Sequence, residues 1–321
     1  MNFHNSRTPN PEPRTPSYRQ RGVAVLVALV VLAIAATLSS AMLWDRNLDV
    51  HRTGNILHLT QAREYLLGAE DWSKQILARD RQHSQTDSLG EAWASQLPAM
   101  PVQGGALTGR LIDMQGRFNL NSLVGSNDKI NKAAYAQFER LLVILKIDPT
   151  IAAAVADWID TDVTPIEPGG AEDGYYAALQ VPYLAADQPL ASVSELLEIK
   201  GVTNRDYQRL LPYVAALPTS TAAINVNTAP WPVIMSLAKG ITPAEAQEVV
   251  TQRGTNGFQS IADFQRLLHE RVPAGSVGLS SSFFRLVATA KIGSSSLTLY
   301  SLLERGQTGA VYCIRQTLGT L

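Results

Sequence analysis

Residues 19–44 read RQRGVAVLVALVVLAIAATLSSAMLW. From Val23 to Trp44 there are 22 consecutive uncharged residues. As a helix rising about 1.5 Å per residue, such a run covers about 33 Å, enough to cross a bilayer. Ahead of it, residues 1–22 hold four prolines and four arginines (Arg7, Arg14, Arg19, Arg21) against one acid, Glu12. A segment of that composition buries too little apolar surface to fold. Its positive charge holds the short leader in the cytoplasm and sends the large remainder to the other side of the membrane.

Three readings of this run compete. A secretory signal peptide has an apolar core of about 7–15 residues and then small residues at a cleavage site, a part that Ser39, Ser40 and Ala41 would fill. A plain signal anchor keeps the run uncut. The third reading starts from Gly22, a small residue on the border between charge and apolar helix. That border resembles the prepilin-type signal, which is cut on the cytoplasmic side after the Gly and leaves the apolar helix on a mature chain beginning at Val23. Most prepilin-like proteins carry a Glu at the fifth mature position, where this chain has Val27. The resemblance implies that such a Glu satisfies the N-terminal amine of a neighbouring filament subunit, so a chain with Val27 suits a filament tip.

Beyond the apolar run, no proline occurs between Pro16 and Pro98. Ala62, Tyr65, Leu66, Ala69, Trp72, Ile76 and Leu77 recur at three- and four-residue spacing, the mark of an amphipathic helix that continues out of the membrane. Gly54 and Gly68 each cost a helix about 1 kcal/mol relative to Ala, so a bend or break is expected near them. A membrane anchor followed by an ordinary packed helix fits residues 44–80 equally well.

Farther along, LTGRLIDMQGRFNLNSL (107–123) places two apolar-rich stretches around Gln115-Gly116 and predicts a β-hairpin. FFRLVATAKIG, SLTLYSLLERG and AVYCIRQTL, between residues 283 and 318, predict three antiparallel strands. Residues 130–275 read as short helices with proline-marked joints, inserted into the sheet domain. A stalk helix on an antiparallel sheet gives an α+β fold. Within the insertion, 192–214 and 225–268 read as helix-hairpin-helix units with turns at Lys200-Gly201-Val202 and Lys239-Gly240-Ile241. Such turns bind DNA phosphate through backbone N–H groups. Each turn here lacks a second glycine, and eight Lys+Arg against five Asp+Glu between 200 and 290 is a weak excess, so a structural or protein-binding use is favoured.

From Ile147 to Ile199 the chain has ten acids and no Lys or Arg. In DWIDTDVTPIEPGGAEDGYY (157–176), Asp160 and Asp162 precede a Pro/Gly loop and Glu172-Asp173 follow it. A loop that folds back can aim several carboxylates and backbone carbonyls at one point, which suits a hard cation with 6–8 oxygen ligands. Calcium is the best candidate, because His and Cys are absent from the segment. The competing reading is a solvated acidic loop with helix caps. The spacing is not that of an EF-hand, and no P-loop, H-E-x-x-H or G-x-S-x-G is present. The single Cys313 permits no disulfide within the chain. A formal net charge of −1 excludes a uniformly basic nucleic-acid binder, and the inventory offers no catalytic constellation.

Taken in order, RGVAVLVALVVLAIAAT, Val27, GRFNLNSL, the D-W-I-D-x-D…GGAED-x-YY stretch, SVSELLEIKG and INVNTAP resemble the minor pseudopilin K family of the type II secretion system over nearly the full length. The resemblance implies a pseudopilin fold with a long N-terminal transmembrane and stalk helix, an antiparallel sheet, and a large helical insertion. It divides the chain into a leader (1–22), a transmembrane segment (23–44), stalk and first β segment (45–124), insertion (125–278) and C-terminal strands (279–321). It further implies a non-enzymatic subunit at the pseudopilus tip, placed with minor pseudopilins I and J on the major pseudopilin. Such a subunit is processed by prepilin peptidase between Gly22 and Val23 and assembles on the inner-membrane secretion platform. Bound calcium is implied as well, with Asp160, Asp162, Glu172 and Asp173 as ligands and nearby Asp157 and Glu167 as alternatives. The chain would be a single-pass inner-membrane protein with its bulk in the periplasm. The reading from a different class is a membrane-anchored helix-hairpin-helix DNA receptor of the DNA-uptake type.

Overall fold

A computed structural model describes residues 18–319; most of the leader expected over 1–22 lies outside them. The chain divides into two compact units between Leu57 and His58. Helix α1 (Tyr18–His83) contains the apolar run, and Val23–Trp44 are all solvent-exposed. Among the described residues α1 supplies the one helix long and apolar enough to cross a membrane. Gly54 and Gly68 both lie within α1, so the break expected there is absent. A Cβ at either position would meet nothing within 4 Å. Within the chain the glycines therefore answer to no packing contact, and the long flanking helix absorbs their small propensity cost.

In the second unit the strands are β1 (Leu97–Val102), β2 (Gly105–Asp113), β3 (Phe118–Asn119), β4 (Val214–Ala215), β5 (Ile224–Asn225), β6 (Val277–Gly278), β7 (Phe283–Ile292), β8 (Ser295–Arg305) and β9 (Val311–Leu318). An antiparallel sheet has the order β1-β2-β7-β8-β9. The three C-terminal strands stand where alternation and Gly/Ser punctuation put them. The hairpin expected around Gln115-Gly116 does not form: β2 pairs with β1 and β7, whereas β3 leaves the sheet and pairs in parallel with β4. Asp113 explains the departure. Its Oδ1 accepts the Gln115 N–H at 2.8 Å, closing a side-chain turn instead of a hairpin loop. Strand β1 escaped sequence reading because Pro98 and Pro101 argue against a strand, and it is tolerated as an edge.

Between β2 and β7 lie α2 (Lys132–Ile144), α3 (Ile151–Asp157), α4 (Asp173–Tyr176), α5 (Asn204–Leu210), α6 (Trp231–Ser236), α7 (Pro243–Arg253) and α8 (Ile261–Gln265). On α1, Ala62, Leu66, Ala69 and Leu77 are buried against Leu107 and Leu111 of β2, Phe284, Leu286, Ala288, Ala290 and Ile292 of β7, and Leu299 and Leu303 of β8. Fully burying a leucine such as Leu66 or Leu77 contributes about 1.5–3 kcal/mol, so this face docks the helix on the sheet. Trp72, grouped with that face by its spacing, is 38% exposed.

The insertion has its own cores, one around Phe138, Val155, Trp158 and Tyr176, another around Val226, Ile234, Val249 and Phe264. Buried asparagines tie its loops together. Asn121 Nδ2 donates to the carbonyls of Leu190 and Leu217 at 2.9 and 2.8 Å, and its Oδ1 accepts the Leu190 N–H. Asn225 Nδ2 donates to Asp113 Oδ2 at 2.9 Å, which also accepts from Thr228 and Ser281. These side chains give GRFNLNSL and INVNTAP their physical purpose: each satisfies buried backbone groups that no helix or strand serves.

Candidate metal centre

Helix α3 ends on Asp157, and Asp160 follows one turn later, its N–H donating to the Ala156 carbonyl at 3.0 Å. The i, i+3 spacing puts both carboxylates on one side. The chain then loops through residues 161–171 and returns with Glu172, the residue that caps α4. Carboxylate oxygens of Asp157, Asp160 and Glu172 lie within 4.8 Å of one another, and all three residues are buried.

The loop is held by the innermost acid. Asp157 Oδ2 accepts the N–H groups of Ile166 and Ala171 at 3.1 and 2.8 Å. Gly169 has φ +108°, a conformation that favours glycine. At Gly170 a Cβ would overlap the Asp157 carboxylate and the Ile166 backbone. Lys200 Nζ donates to the Gly170 carbonyl at 2.8 Å and stands 4.8 Å from the centre of the Tyr175 ring. That lysine acts on Asp157 from the rear of the loop.

Asp160 Oδ1 and Glu172 Oε1 are buried with no hydrogen-bond partner. A buried carboxylate oxygen without a donor is costly, and the group responds by resisting ionisation. Burial first, then repulsion from Asp157 and the neighbouring acids, pushes Asp160 and Glu172 each up to about 7. Burial also pushes Asp157 up to about 6, against the pull of the Ile166 and Ala171 N–H groups. Asp128 and Asp187 add negative charge around Asp160. Both have positive φ, and Asp128 accepts a hydrogen bond from Thr161. A group of oxygen donors only, with two unmet buried oxygens and excess negative charge, fits a hard divalent cation.

Of the four ligands expected from sequence, the fold brings Asp160 and Glu172 together. Asp162 is exposed, with Oδ1 accepting the Thr164 N–H at 2.7 Å, and Asp173 Oδ1 accepts the Ala185 N–H at 2.9 Å. Asp157 stands in the cluster, while Glu167 is exposed. The position of Asp157 three residues before Asp160 on a helical pattern was the readable signal for it. A second group, Asp80, Asp87 and Glu91, is also close together. Arg305, the Ser281 and Ser88 N–H groups and Trp93 Nε1 hydrogen-bond to its oxygens, so a guanidinium already stands where a cation would sit.

The helix-hairpin-helix stretches do fold as helix-turn-helix units. The first joins a 3-10 turn at Val193–Glu198 to α5, and the second joins α6 to α7; Gly201 and Gly240 in their turns have φ +82° and +105°. Lys200 of the first turn is engaged with Gly170 and Tyr175, which removes one of the two lysines the DNA-receptor reading relied on.

Comparison with known proteins points one way. A family model described as type II secretion system (T2SS), protein K, matches residues 116–219, and a second model of the same description matches residues 224–279. The chain is 35% identical to the type II secretion system protein K of Pseudomonas aeruginosa over 314 residues, covering 94% of this chain and 93% of the relative. With the Aeromonas hydrophila protein of the same name it shares 33% identity, covering 94% of this chain and 98% of the relative. The fold matches a chain in the crystal structure of the GspK-GspI-GspJ complex from the enterotoxigenic Escherichia coli type 2 secretion system. That match has a TM-score of 0.75 at 27% identity and covers 84% of this chain and 100% of the other.

Proposed function

The chain belongs to the type II secretion system protein K family, a minor pseudopilin of that system, and from this we propose that it is the tip subunit of the pseudopilus. In this reading it assembles with minor pseudopilins I and J, starts the fibre on the inner-membrane platform, and does so without catalysis. The likeness to a K subunit solved together with I and J supports the choice of partners. The observation that carries the tip placement is Val27. A subunit stacked on top would present a mature N-terminal amine, and an apolar side chain at 27 offers that cation no carboxylate, leaving its charge unpaired in a membrane-spanning bundle.

Prepilin peptidase cuts between Gly22 and Val23, leaving α1 anchored through Val23–Trp44. Mass spectrometry of the chain coexpressed with the peptidase then gives an N-terminus at Val23; an intact leader, or a terminus near residue 42, rejects that processing. Fluorescently labelled chain is confined to one end of isolated fibres, and label distributed along the shaft refutes the tip role.

Calcium is the cation of the acidic centre, held by Asp157, Asp160 and Glu172. When bound it supplies positive charge where burial otherwise disfavours three carboxylates, and so fixes the 161–171 loop against α3. The DNA-receptor alternative draws no support from the family relationship or from the placement of Lys200.

A further inference from the structure

The sheet face turned away from α1 carries three arginines, Arg110, Arg285 and Arg315, with Glu304 in the row beyond them. In the sheet register Arg110, Val287, Tyr300 and Thr317 form one cross-strand row, and Ile112, Arg285, Leu302 and Arg315 form the next. Directly paired residues share a face, so Arg110, Arg285 and Arg315 project on the same side. None of the three makes an ion pair among the described residues.

Arg285 is the informative member. It is half-buried and has no hydrogen-bond acceptor, whereas Arg315 donates to the Ala216 carbonyl and Arg117, close by, donates to the Leu211 carbonyl. The acid acting on Arg315 is Glu195, whose Oε1 is committed to the N–H groups of Ala191 and Ser192. The largest influences on Arg285 are burial, the like charges of Arg117 and Arg315 and the phenols of Tyr207 and Tyr300, and burial with those arginines pushes it down to about 10. Glu304, on the same face two residues beyond Leu302, makes no ion pair with it among the described residues. A guanidinium presents five donors in a rigid fork, and those of Arg285 meet no protein acceptor among the described residues and are left to solvent, free for an incoming group. Beside it is a cavity of about 60 Å³, lined by Ser192, Arg285, Tyr300, Arg315 and Thr317, whose hydroxyls are further donors. A water needs about 10–15 Å³ in the same measure, so this is space for a small polar group such as a carboxylate.

We propose that this cavity receives one carboxylate side chain from an acidic segment of a partner protein, gripped by Arg285 and Arg315 while the segment runs over the sheet face past Arg110. The guanidinium fork matches a carboxylate in two parallel hydrogen bonds. Arg110, in the adjoining row, lets a neighbouring acid of the same segment be met, which a free ion would not exploit. The site is independent of the tip assignment and of the acidic centre.

The test uses the full chain in detergent micelles and fluorescence anisotropy of a labelled octapeptide alternating Glu and Thr. The expected result is binding that weakens with salt, is at least about tenfold weaker for Arg285→Met and for Arg315→Gln, and is absent for the matched Gln/Thr octapeptide. Arg285→Met is further expected to leave the melting temperature of the free chain unchanged or higher, since it removes an unpaired cation; an arginine serving only the fold would lower it on removal. Equal binding of the Glu and Gln peptides, undiminished binding by the Arg315→Gln chain, or tighter binding of an oligothymidine of equal length overturns the proposal.

Discussion

Arg305 Nη2 donates to both carboxylate oxygens of Asp87, at 2.6 and 2.5 Å, and Nη1 of the same guanidinium reaches Asp80 on α1 at 2.9 Å. Both Arg305 and Asp87 are buried, and the guanidinium stacks 4.8 Å over the Phe284 ring. This group fastens the end of the stalk helix, the loop after it and the end of β8 to one point. Breaking a buried pair by removing one partner strands the other charge. Arg305→Met leaves both Asp87 and Asp80 without their cation and is therefore expected to cost about 3–5 kcal/mol, read as a lower urea midpoint. Replacing Arg305 and Asp87 together by apolar residues is expected to cost less than Arg305→Met alone.

Calcium is expected to raise the melting temperature of the chain and chelation to lower it. With free ion at a hundred times its dissociation constant the gain is about 2.7 kcal/mol. Glu172→Gln and Asp160→Asn remove ligand charge and are expected to abolish most of that increment while leaving the metal-free chain as stable as before, or more so. Differential scanning calorimetry with and without chelator measures both effects.

Acidity moves metal-free stability and cation affinity in opposite senses. Asp157 at about 6 and Asp160 and Glu172 at about 7 stand above the carboxylates of an unfolded chain. The metal-free folded state therefore holds more protons than the unfolded one between about pH 4 and about pH 7, and these groups make it lose stability as pH rises across that window. Cation binding needs the ionised forms, so affinity falls as pH drops below about 7. Titration calorimetry at about pH 7.5 and about pH 5.5 is expected to show weaker binding at the lower value, with more protons released per ion.

Gly170→Ala is expected to disturb the centre without altering any ligand. The added methyl meets the Asp157 carboxylate and the Ile166 backbone, neither of which is the free end of a flexible side chain. Overpacking of this kind costs about 1–3 kcal/mol. Cation affinity should fall with it, since Asp157 holds the loop that brings Glu172 back. Gly174→Ala, where a Cβ meets nothing within 4 Å, is the control and should bind as the parent does.

Long periodic segments were legible and short non-periodic ones were not. The α1 face and the β7, β8 and β9 strands follow from spacing because each buries one side against the other, and burial imposes the period. The β2–β3 hairpin was misread because the choice between hairpin and turn rests on a single hydrogen bond to Asp113, invisible to alternation. In the acidic stretch, composition marked the neighbourhood but did not separate ligands from caps. Asp162 and Asp173 are chemically identical to Asp157 and Asp160, and only the fold shows that the second pair gathers with Glu172 while the first pair stands outside that group. Arg285 left no trace in the sequence, since its lack of partners depends on β2 and β8, which flank it from distant parts of the chain, Ile112 on one side and Leu302 on the other.

The two rims of the sheet are chemically unequal. At β1, Pro98 and Pro101 take two amide protons out of a six-residue strand, so an incoming polypeptide finds few partners there for backbone bonding. At β9 the amides are intact and Tyr312, Ile314 and Leu318 are exposed. Any foreign strand that lengthens this sheet must enter beside β9, which makes recruitment by strand addition one-sided and disfavours runaway growth from copy to copy.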